Sequence, residues 1–341
     1  MSLRLLSAVT APTLCVVLGL GAACVSPAAD THAPDVATPR AYPTGSSPCD
    51  VLPKASPRGP RLLVIVAHPD DEIAFAGTLY KTSTFLDGMC DVTLVTNGEG
   101  GFKYSTLAES IYGLELTDEA VGRAALPNIR KAEFLEGARA MRVDHAFFLD
   151  QTDHRYTLDP HEVLDEDRGV WDLAQVQSDL LAILRAGHYD FVLTFVPREE
   201  THGHHKAAAI LALRAVAALS AAERPIVLGV RFDESTPPEI PLAEYPITKL
   251  RTDVGPFVFD RTQHFGYRDK LDYRIVANWA IAAHKTQGTM QLLMNGGEKE
   301  AYWLYALDAP GSETKARELF ARLAEPQFEA KEYGESAEAP R

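Results

Sequence analysis

The stretch of this sequence best suited to chemistry is a histidine followed by three acids, His68-Pro69-Asp70-Asp71-Glu72. Imidazole nitrogens and carboxylate oxygens are the ligand atoms of catalytic zinc sites, which also need an unligated carboxylate to move protons. The proline and the acids equally suit the first turn of a helix, where proline loses no hydrogen bond and acids interact favourably with the helix dipole. A helix start does not explain His68, so a metal site and a purely structural role both stay open here.

A second cluster of imidazoles, His202-Gly203-His204-His205, precedes an alanine-rich stretch. Taken alone, this cluster could equally be a solvent-exposed loop with chance histidines. Beside His68 at the end of a strand, it favours a single shared site.

Both clusters follow apolar runs that have the length of strands. The run at 61–67 is apolar without alternation, which is typical of a strand buried on both faces. We predict strands at 61–67, 91–96, 145–149, 189–195 and 226–232. We predict helices at 72–85, 128–141, 171–186, 206–223, 271–286 and 313–323, with extended strands at 247–259.

This alternation of strand and helix predicts an α/β fold. The expected architecture is a Rossmann-like, doubly wound, mainly parallel sheet with helices on both faces, followed by a less regular portion after residue 233. Ligands of such sheets bind beyond the C-terminal ends of the strands. His68, Gly98, Asp153 and the cluster 202–205 all fall at such ends, so we expect them to share one site.

The two motifs together resemble those of a known family, the PIG-L/LmbE zinc-dependent N-deacetylases. Ala67-His68-Pro69-Asp70-Asp71-Glu72 matches the first motif of that family, and His202-x-x-His205 matches the second. Weaker agreement covers 96–99, Arg130 with Glu133, Asp153 and 283–287. The resemblance spans residues 61 to 290 in order and spacing.

The resemblance implies that His68, Asp71 and His205 bind Zn²⁺ or another divalent metal. It implies that Asp70 is the catalytic carboxylate and that His202, in its protonated form, stands near the acyl oxygen. Two positions depart from the family pattern. Gly203-His204 stands where Pro-Asp is frequent, and Glu200 stands where a tyrosine is frequent.

Four residues are candidates for binding substrate: Arg130, Asp153, Glu200 and His284. Arg130 and Asp153 could grip substrate hydroxyls, but a helix-surface ion pair and a turn residue are the structural alternatives. His284 lies near the predicted C-terminal end of a helix, where the helix dipole alone favours a histidine.

The function that this pattern favours is a zinc-dependent hydrolase that removes an acetyl group from an N-acetylated sugar or glycoconjugate. The alternatives are an amidase for a larger acyl or thiol-sugar conjugate and a non-catalytic carbohydrate-binding or metal-scavenging lipoprotein. A nucleotide-dependent oxidoreductase is disfavoured because Gly-x-Gly-x-x-Gly does not follow the first strand. The net charge of −14 repels phosphate backbones and argues against nucleic acid as a partner.

The N-terminal residues resemble a targeting signal. The apolar run from Leu14 to Ala23 is too short to span a bilayer and predicts an export signal over residues 1–24. Leu20-Gly21-Ala22-Ala23-Cys24 resembles a lipobox, which would make the product a periplasmic or membrane-anchored lipoprotein with a lipidated Cys24. Cleavage near 26–29 to give a secreted protein, and a cytosolic protein with an apolar N-terminus, are the alternatives.

The remaining chain is expected to form one large domain. We predict a proline-rich tether over residues 25–60, the catalytic domain over 61–326 and a flexible tail over 327–341. Cys49 and Cys90 are the two cysteines that remain in this part, and in an exported protein they could form one disulfide.

Overall fold

The computed structural model describes residues 43–231 and 233–327. The predicted signal with Cys24, the first part of the tether, Phe232 and the tail from residue 328 lie outside the described residues. In the described ranges, every helix is too short or too polar to cross a membrane.

The architecture is a mixed sheet of eight strands with a parallel centre. The strands are β1 (Cys49–Asp50), β2 (Arg61–Val66), β3 (Met89–Thr96), β4 (His145–Gln151), β5 (Phe191–Phe195), β6 (Ile226–Arg231), β7 (Phe257–Asp260) and β10 (Lys299–Leu304). Their order is β1-β4-β3-β2-β5-β6-β10-β7. The five strands from β4 to β6 are parallel, and the outer pairings are antiparallel. The predicted α/β fold is confirmed.

Helices cover both faces of this sheet. They are α1 (Ala76–Phe85), α2 (Glu109–Tyr112), α3 (Glu119–Ala140), α4 (His161–Leu164), α5 (Leu173–Gly187), α6 (Gly203–Ala217), α7 (Arg274–Ala283) and α8 (Ser312–Ala324). A separate two-stranded sheet pairs β8 (His264–Phe265) with β9 (Leu271–Asp272).

The alternation of side chains along β2 divides the core into two layers. Leu62, Val64 and Val66 pack in a cluster with apolar residues of α1, α3, α7 and α8. Leu63 and Ile65 pack in a second cluster, with residues of α5 and α6. Successive side chains of a strand point to opposite faces, so an uninterrupted apolar run is what a strand covered on both sides requires.

The chain reverses its direction of winding beside β2. After β2 it adds β3 and β4 on one side, then returns to place β5 and β6 on the other side. The crevice outside the strand ends at such a switch point is where doubly wound sheets bind ligands. The loops that follow β2 and β5 carry the two histidine clusters, so the topology brings them to this crevice.

The third helix starts earlier than predicted. We expected it to begin at residue 128, but α3 begins at Glu119 and continues through Pro127. The side chain of Asp118 caps it by accepting a hydrogen bond of 3.0 Å from the backbone N–H of Val121. An N-terminal cap of this kind satisfies a donor that would otherwise have no partner.

The C-terminal portion is more regular than predicted. The expected strands at 247–259 are reduced to a 3-10 helix (Pro246–Thr248), an isolated bridge at Leu250 and the strand β7. The unpredicted strand β10 pairs antiparallel with β6 and β7. This portion therefore extends the main sheet.

The possible disulfide between Cys49 and Cys90 does not form. Both cysteines are free thiols. Cys49 lies on β1 and Cys90 on β3, and β4 lies between these strands. Two strand spacings amount to about 9.6 Å, whereas bridged cysteines need Cα atoms within about 7 Å.

Candidate active site

A pocket of about 540 Å³ opens at the C-terminal ends of β2 and β5. Its polar lining includes His68, Asp70 and Asp71 from the segment after β2, and His202 and His205 from the N-terminal end of α6, after β5. The structure therefore brings together the two motifs, as the sequence predicts. Pockets of this size typically accommodate small organic ligands.

Three side chains converge at the base of this pocket: His68, Asp71 and His205. Nδ1 of His68 lies 3.0 Å from Nε2 of His205 and 3.6 Å from Oδ2 of Asp71. Oδ1 of Asp71 lies 3.2 Å from Nε2 of His205. The Asp71 carboxylate is held in place because Oδ2 accepts hydrogen bonds from the backbone N–H groups of Ala67 and His68, at 3.1 and 2.8 Å.

These atoms fit a tetrahedral divalent cation. Two ligand atoms that each lie about 2.0–2.1 Å from a tetrahedral ion are about 3.3–3.4 Å apart, and the observed spacings of 3.0, 3.2 and 3.6 Å lie around this value. Burial alone would raise the pKa of Asp71, but the neighbouring His205 and His68 outweigh burial and lower that pKa well below its usual value. Asp71 is therefore an anion, as a metal ligand must be.

Asp70 lies beside this trio and has an unusual backbone. Its φ of 135° and ψ of −21° fall in a region that side-chain-bearing residues rarely adopt, which is a form of strain that clusters at functional sites. Burial and the charge of Asp71 raise the pKa of Asp70 to about 7. A carboxyl group that gains and loses a proton near neutral pH suits general base and general acid chemistry.

Behind Asp70 lies a fully buried pair, Glu72 and His284. Oε2 of Glu72 accepts a hydrogen bond of 2.8 Å from the backbone N–H of Asp70, and Oε1 lies 2.7 Å from Nε2 of His284. Both side chains are completely buried. Because it is enclosed in this pair, His284 does not contact substrate as we had expected. It positions Glu72, which fixes the backbone at Asp70.

We expect His284→Ala to lower the free energy of unfolding by about 3–5 kcal/mol, because it leaves the Glu72 carboxylate buried without its partner. Burial would lower the pKa of His284, but the Glu72 carboxylate outweighs burial and raises that pKa, which favours the charged form of His284. Urea denaturation measures the change. The control is Lys285→Ala, which removes a more exposed ion pair with Glu136 and should cost at most about 1 kcal/mol. Equal losses for the two variants would contradict the role given to the buried pair.

His202 caps the N-terminus of α6 rather than carrying a charge. Its Nδ1 accepts a hydrogen bond of 3.2 Å from the backbone N–H of His204, so the ring proton is on Nε2. Burial and the nearby His68 lower the pKa of His202 to about 3. The low pKa favours a neutral ring over the protonated His202 that we expected from the resemblance. The neutral ring can still donate one hydrogen bond, from Nε2.

Asp153 contacts histidines instead of projecting freely towards a substrate. Its Oδ1 lies 3.2 Å from Nδ1 of His204 and 3.7 Å from Nε2 of His68, and its Oδ2 accepts a hydrogen bond of 3.0 Å from the N–H of Gly100. It lines the pocket but is only 6% exposed. A carboxylate behind a metal-binding histidine fixes the orientation of that ring.

Arg130 and Glu200 have different environments. Arg130 is 1% exposed, which excludes a helix-surface ion pair, and its guanidinium donates to the carbonyl oxygens of Gly98 and Gly101 at the wall of the pocket. Glu200 is exposed and forms an ion pair with Arg198. We expected Glu200 to contact substrate, but the neighbouring Arg198 lines the pocket instead.

Other pocket residues were not predicted from the sequence. They include Tyr104, Tyr156, Arg198, Thr201 and Arg231. The ring of Tyr156 lies 5.0 Å from that of His202. Only the adjacency of Arg198 and Thr201 to the second histidine cluster was available as a signal, since the segments that carry Tyr104 and Tyr156 have no recognisable pattern in the sequence.

The comparisons with known proteins agree with the motifs. Residues 63–216 match the sequence model of the family described as PIG-L: GlcNAc-PI de-N-acetylase, which confirms the predicted resemblance. A curated relative, the probable N-acetyl-alpha-D-glucosaminyl L-malate deacetylase 2 of Bacillus cereus, is 22% identical over 72% of this chain and 97% of its own length.

Two solved structures are similar to most of the chain. One is the 4-carboxy-2-hydroxymuconate hydratase GalB of Pseudomonas putida KT2440, with 15% identity over 72% of this chain and 95% of that chain and a TM-score of 0.44. The other is the N,N'-diacetylchitobiose deacetylase of Pyrococcus horikoshii, with 18% identity over 73% and 85% and a TM-score of 0.41. Likeness at this level does not transfer an activity.

Proposed function

We propose that this chain, which belongs to the PIG-L family, is a zinc-dependent hydrolase that removes the acetyl group from an N-acetylated sugar or a related amide. The observation that carries the proposal is the placement of Asp70 beside His68, Asp71 and His205 in one pocket. The name of the curated relative, which describes deacetylation of an N-acetylglucosaminyl conjugate, supports the substrate class.

The residues that would hold the cation are His68, Asp71 and His205. A bound Zn²⁺ supplies a Lewis acid for the amide carbonyl and lowers the pKa of water. Three protein ligands are the usual number at a catalytic zinc, which keeps a further position open for this chemistry. Asp153 lies on the side of the His68 ring opposite Asp71, with its Oδ1 3.7 Å from Nε2 of that ring.

Asp70 moves the protons of the reaction. As a water oxygen bonds to the amide carbonyl carbon, the Asp70 carboxylate takes a proton from that water. It then gives the proton to the amide nitrogen as the carbon–nitrogen bond breaks, which yields acetate and a free amine. The buried Glu72 holds the Asp70 backbone during both transfers.

His202 supplies a hydrogen-bond donor for the negative charge that develops on the carbonyl oxygen. Its Nδ1 is occupied by the N–H of His204, so Nε2 carries the proton that is donated. A neutral donor fixed in place before the reaction stabilises an oxyanion without reorganising. This role needs no charge on His202, in agreement with its low pKa.

Turnover of a substrate panel tests this function. We expect zinc-loaded protein to release acetate and free amine in equal amounts from at least one N-acetylated sugar, because amide hydrolysis yields one of each. A panel of N-acetylglucosamine, its glycosides and matched larger N-acyl sugars separates a deacetylase from an amidase for larger acyl groups. Dialysis against a chelator should abolish the activity and added zinc should restore it. Binding of these sugars without any turnover would contradict the proposal and favour a non-catalytic carbohydrate-binding protein.

A further inference from the structure

A second set of ligand atoms lies on the other side of the His68 ring. Nε2 of His68 is 3.2 Å from Nδ1 of His204, and Nδ1 of His204 is 3.2 Å from Oδ1 of Asp153. The third side of this triangle, from Nε2 of His68 to Oδ1 of Asp153, measures 3.7 Å. These atoms of His68, His204 and Asp153 lie close enough together to bind one metal ion. The His204 side chain is completely buried.

The triangle has the size that a small cation requires. A point equidistant from its three corners lies about 2.0 Å from each, given sides of 3.2, 3.2 and 3.7 Å. Zinc binds histidine nitrogen at about 2.0–2.1 Å and carboxylate oxygen at about 2.0–2.2 Å. A cation slightly above the plane of the triangle would therefore contact all three atoms without movement of the side chains.

Protons do not satisfy the same three atoms. In one arrangement, Nδ1 of His204 carries a hydrogen and donates it to Oδ1 of Asp153. Nδ1 of His204 then cannot accept a hydrogen bond from Nε2 of His68, and the other neighbour of Nε2, Oδ1 of Asp153, is 3.7 Å away. If Nε2 of His68 donates to Nδ1 of His204, the lone pairs of that nitrogen and of Asp153 Oδ1 face each other at 3.2 Å.

We propose that His68, His204 and Asp153 form a second divalent-cation site, of the zinc class, distinct from the catalytic one. The catalytic site uses Nδ1 of His68, and the second site uses Nε2 of the same ring, which releases its proton to solvent so that the ring bridges the two cations as an imidazolate. Asp153 lines the pocket, so a cation can reach the second site from there. Because two dications on one imidazole repel each other, the second cation binds more weakly than the first.

The nitrogen ligand that completes this site comes from a departure in the second motif. His204 occupies the position between His202 and His205 where the resembled family frequently has an acid. This position is in the first turn of α6, and the ring of His204 packs against Trp171 with ring centroids 5.3 Å apart. This packing holds Nδ1 towards Asp153.

Zinc stoichiometry tests the second site. Full-length protein is dialysed to equilibrium against increasing free Zn²⁺, and bound zinc is measured by elemental analysis. We expect wild type to bind two equivalents in two separate steps. His204→Ala should lose the weaker equivalent and keep the tighter one. Asp153→Asn, a near-isosteric change, gives the same test if His204→Ala fails to fold.

A surface histidine serves as the control. His264 is exposed on β8, far along the chain from both motifs, so His264→Ala should still bind two equivalents. A single equivalent in wild type, or two equivalents in His204→Ala and Asp153→Asn as in wild type, would overturn the second site and leave the catalytic site intact. Binding of no zinc by wild type would overturn both sites and with them the proposed zinc chemistry.

Discussion

Asp70→Asn is expected to keep its tight zinc and to lose about 10²–10⁴-fold in kcat/KM, the usual contribution of a positioned acid–base group. The change replaces one oxygen by an amide nitrogen of similar size and leaves His68, Asp71 and His205 in place. An amide cannot take the proton of the attacking water. Acetate release and zinc content, measured on the same preparation, test both halves of the expectation.

The matched control for this variant is Asp150→Asn. Asp150 also has a positive φ, of 52°, and it lies on β4, which ends at the same edge of the sheet. Its carboxylate, however, pairs with Lys131. It should retain nearly the activity of wild type. Wild-type turnover by Asp70→Asn would remove Asp70 from the mechanism, whereas loss of zinc would make Asp70 a ligand.

His205→Ala is expected to lose both the tight zinc and the activity. The variant keeps only His68 and Asp71 of the three ligands, and two ligands are too few for a catalytic zinc site. Lewis-acid stabilisation by the cation is worth several kcal/mol, so the rate should fall by roughly 10³-fold or more. Zinc is measured after dialysis against trace zinc, which leaves only the tighter site filled.

His264→Ala again serves as the control for nonspecific loss of a histidine and should keep one tight zinc. Full zinc occupancy in the double variant His205→Ala/His204→Ala, which also lacks a ligand of the second site, would show under the same dialysis that the ligand assignment is wrong. Circular dichroism of these variants separates loss of the cation from loss of the fold.

The order and type of the central elements could be predicted because β2 to β6 leave strong local patterns. Each of these strands is an apolar run, and each strand from β2 to β5 is followed by a helix that crosses over to the next parallel strand. The strand β10 was not predicted because its residues fall in the portion after residue 233, for which we expected less regular structure. Its pairing with β6 and β7 is set by tertiary contacts of residues distant in the sequence.

The position of the catalytic residues was predictable because strand ends and motif spacing determine it. The partners of those residues were not. In the sequence, His284 lies near a predicted C-terminal helix end, where the helix dipole alone accounts for a histidine. Only the fold shows that His284 is buried against Glu72. Glu200 and Arg198 are two residues apart, and the sequence does not tell which of them faces the pocket. The neutral state of His202 likewise depends on burial by the surrounding chain.

The most direct test of the account is the location of the tight zinc by anomalous X-ray diffraction at the zinc edge, on crystals of protein loaded with one equivalent. The account predicts one peak within about 2.0–2.2 Å of Nδ1 of His68, Nε2 of His205 and the Asp71 carboxylate, with Asp70 outside the ligand shell. A peak that is coordinated by Asp70, or one that lies away from His205, would contradict it.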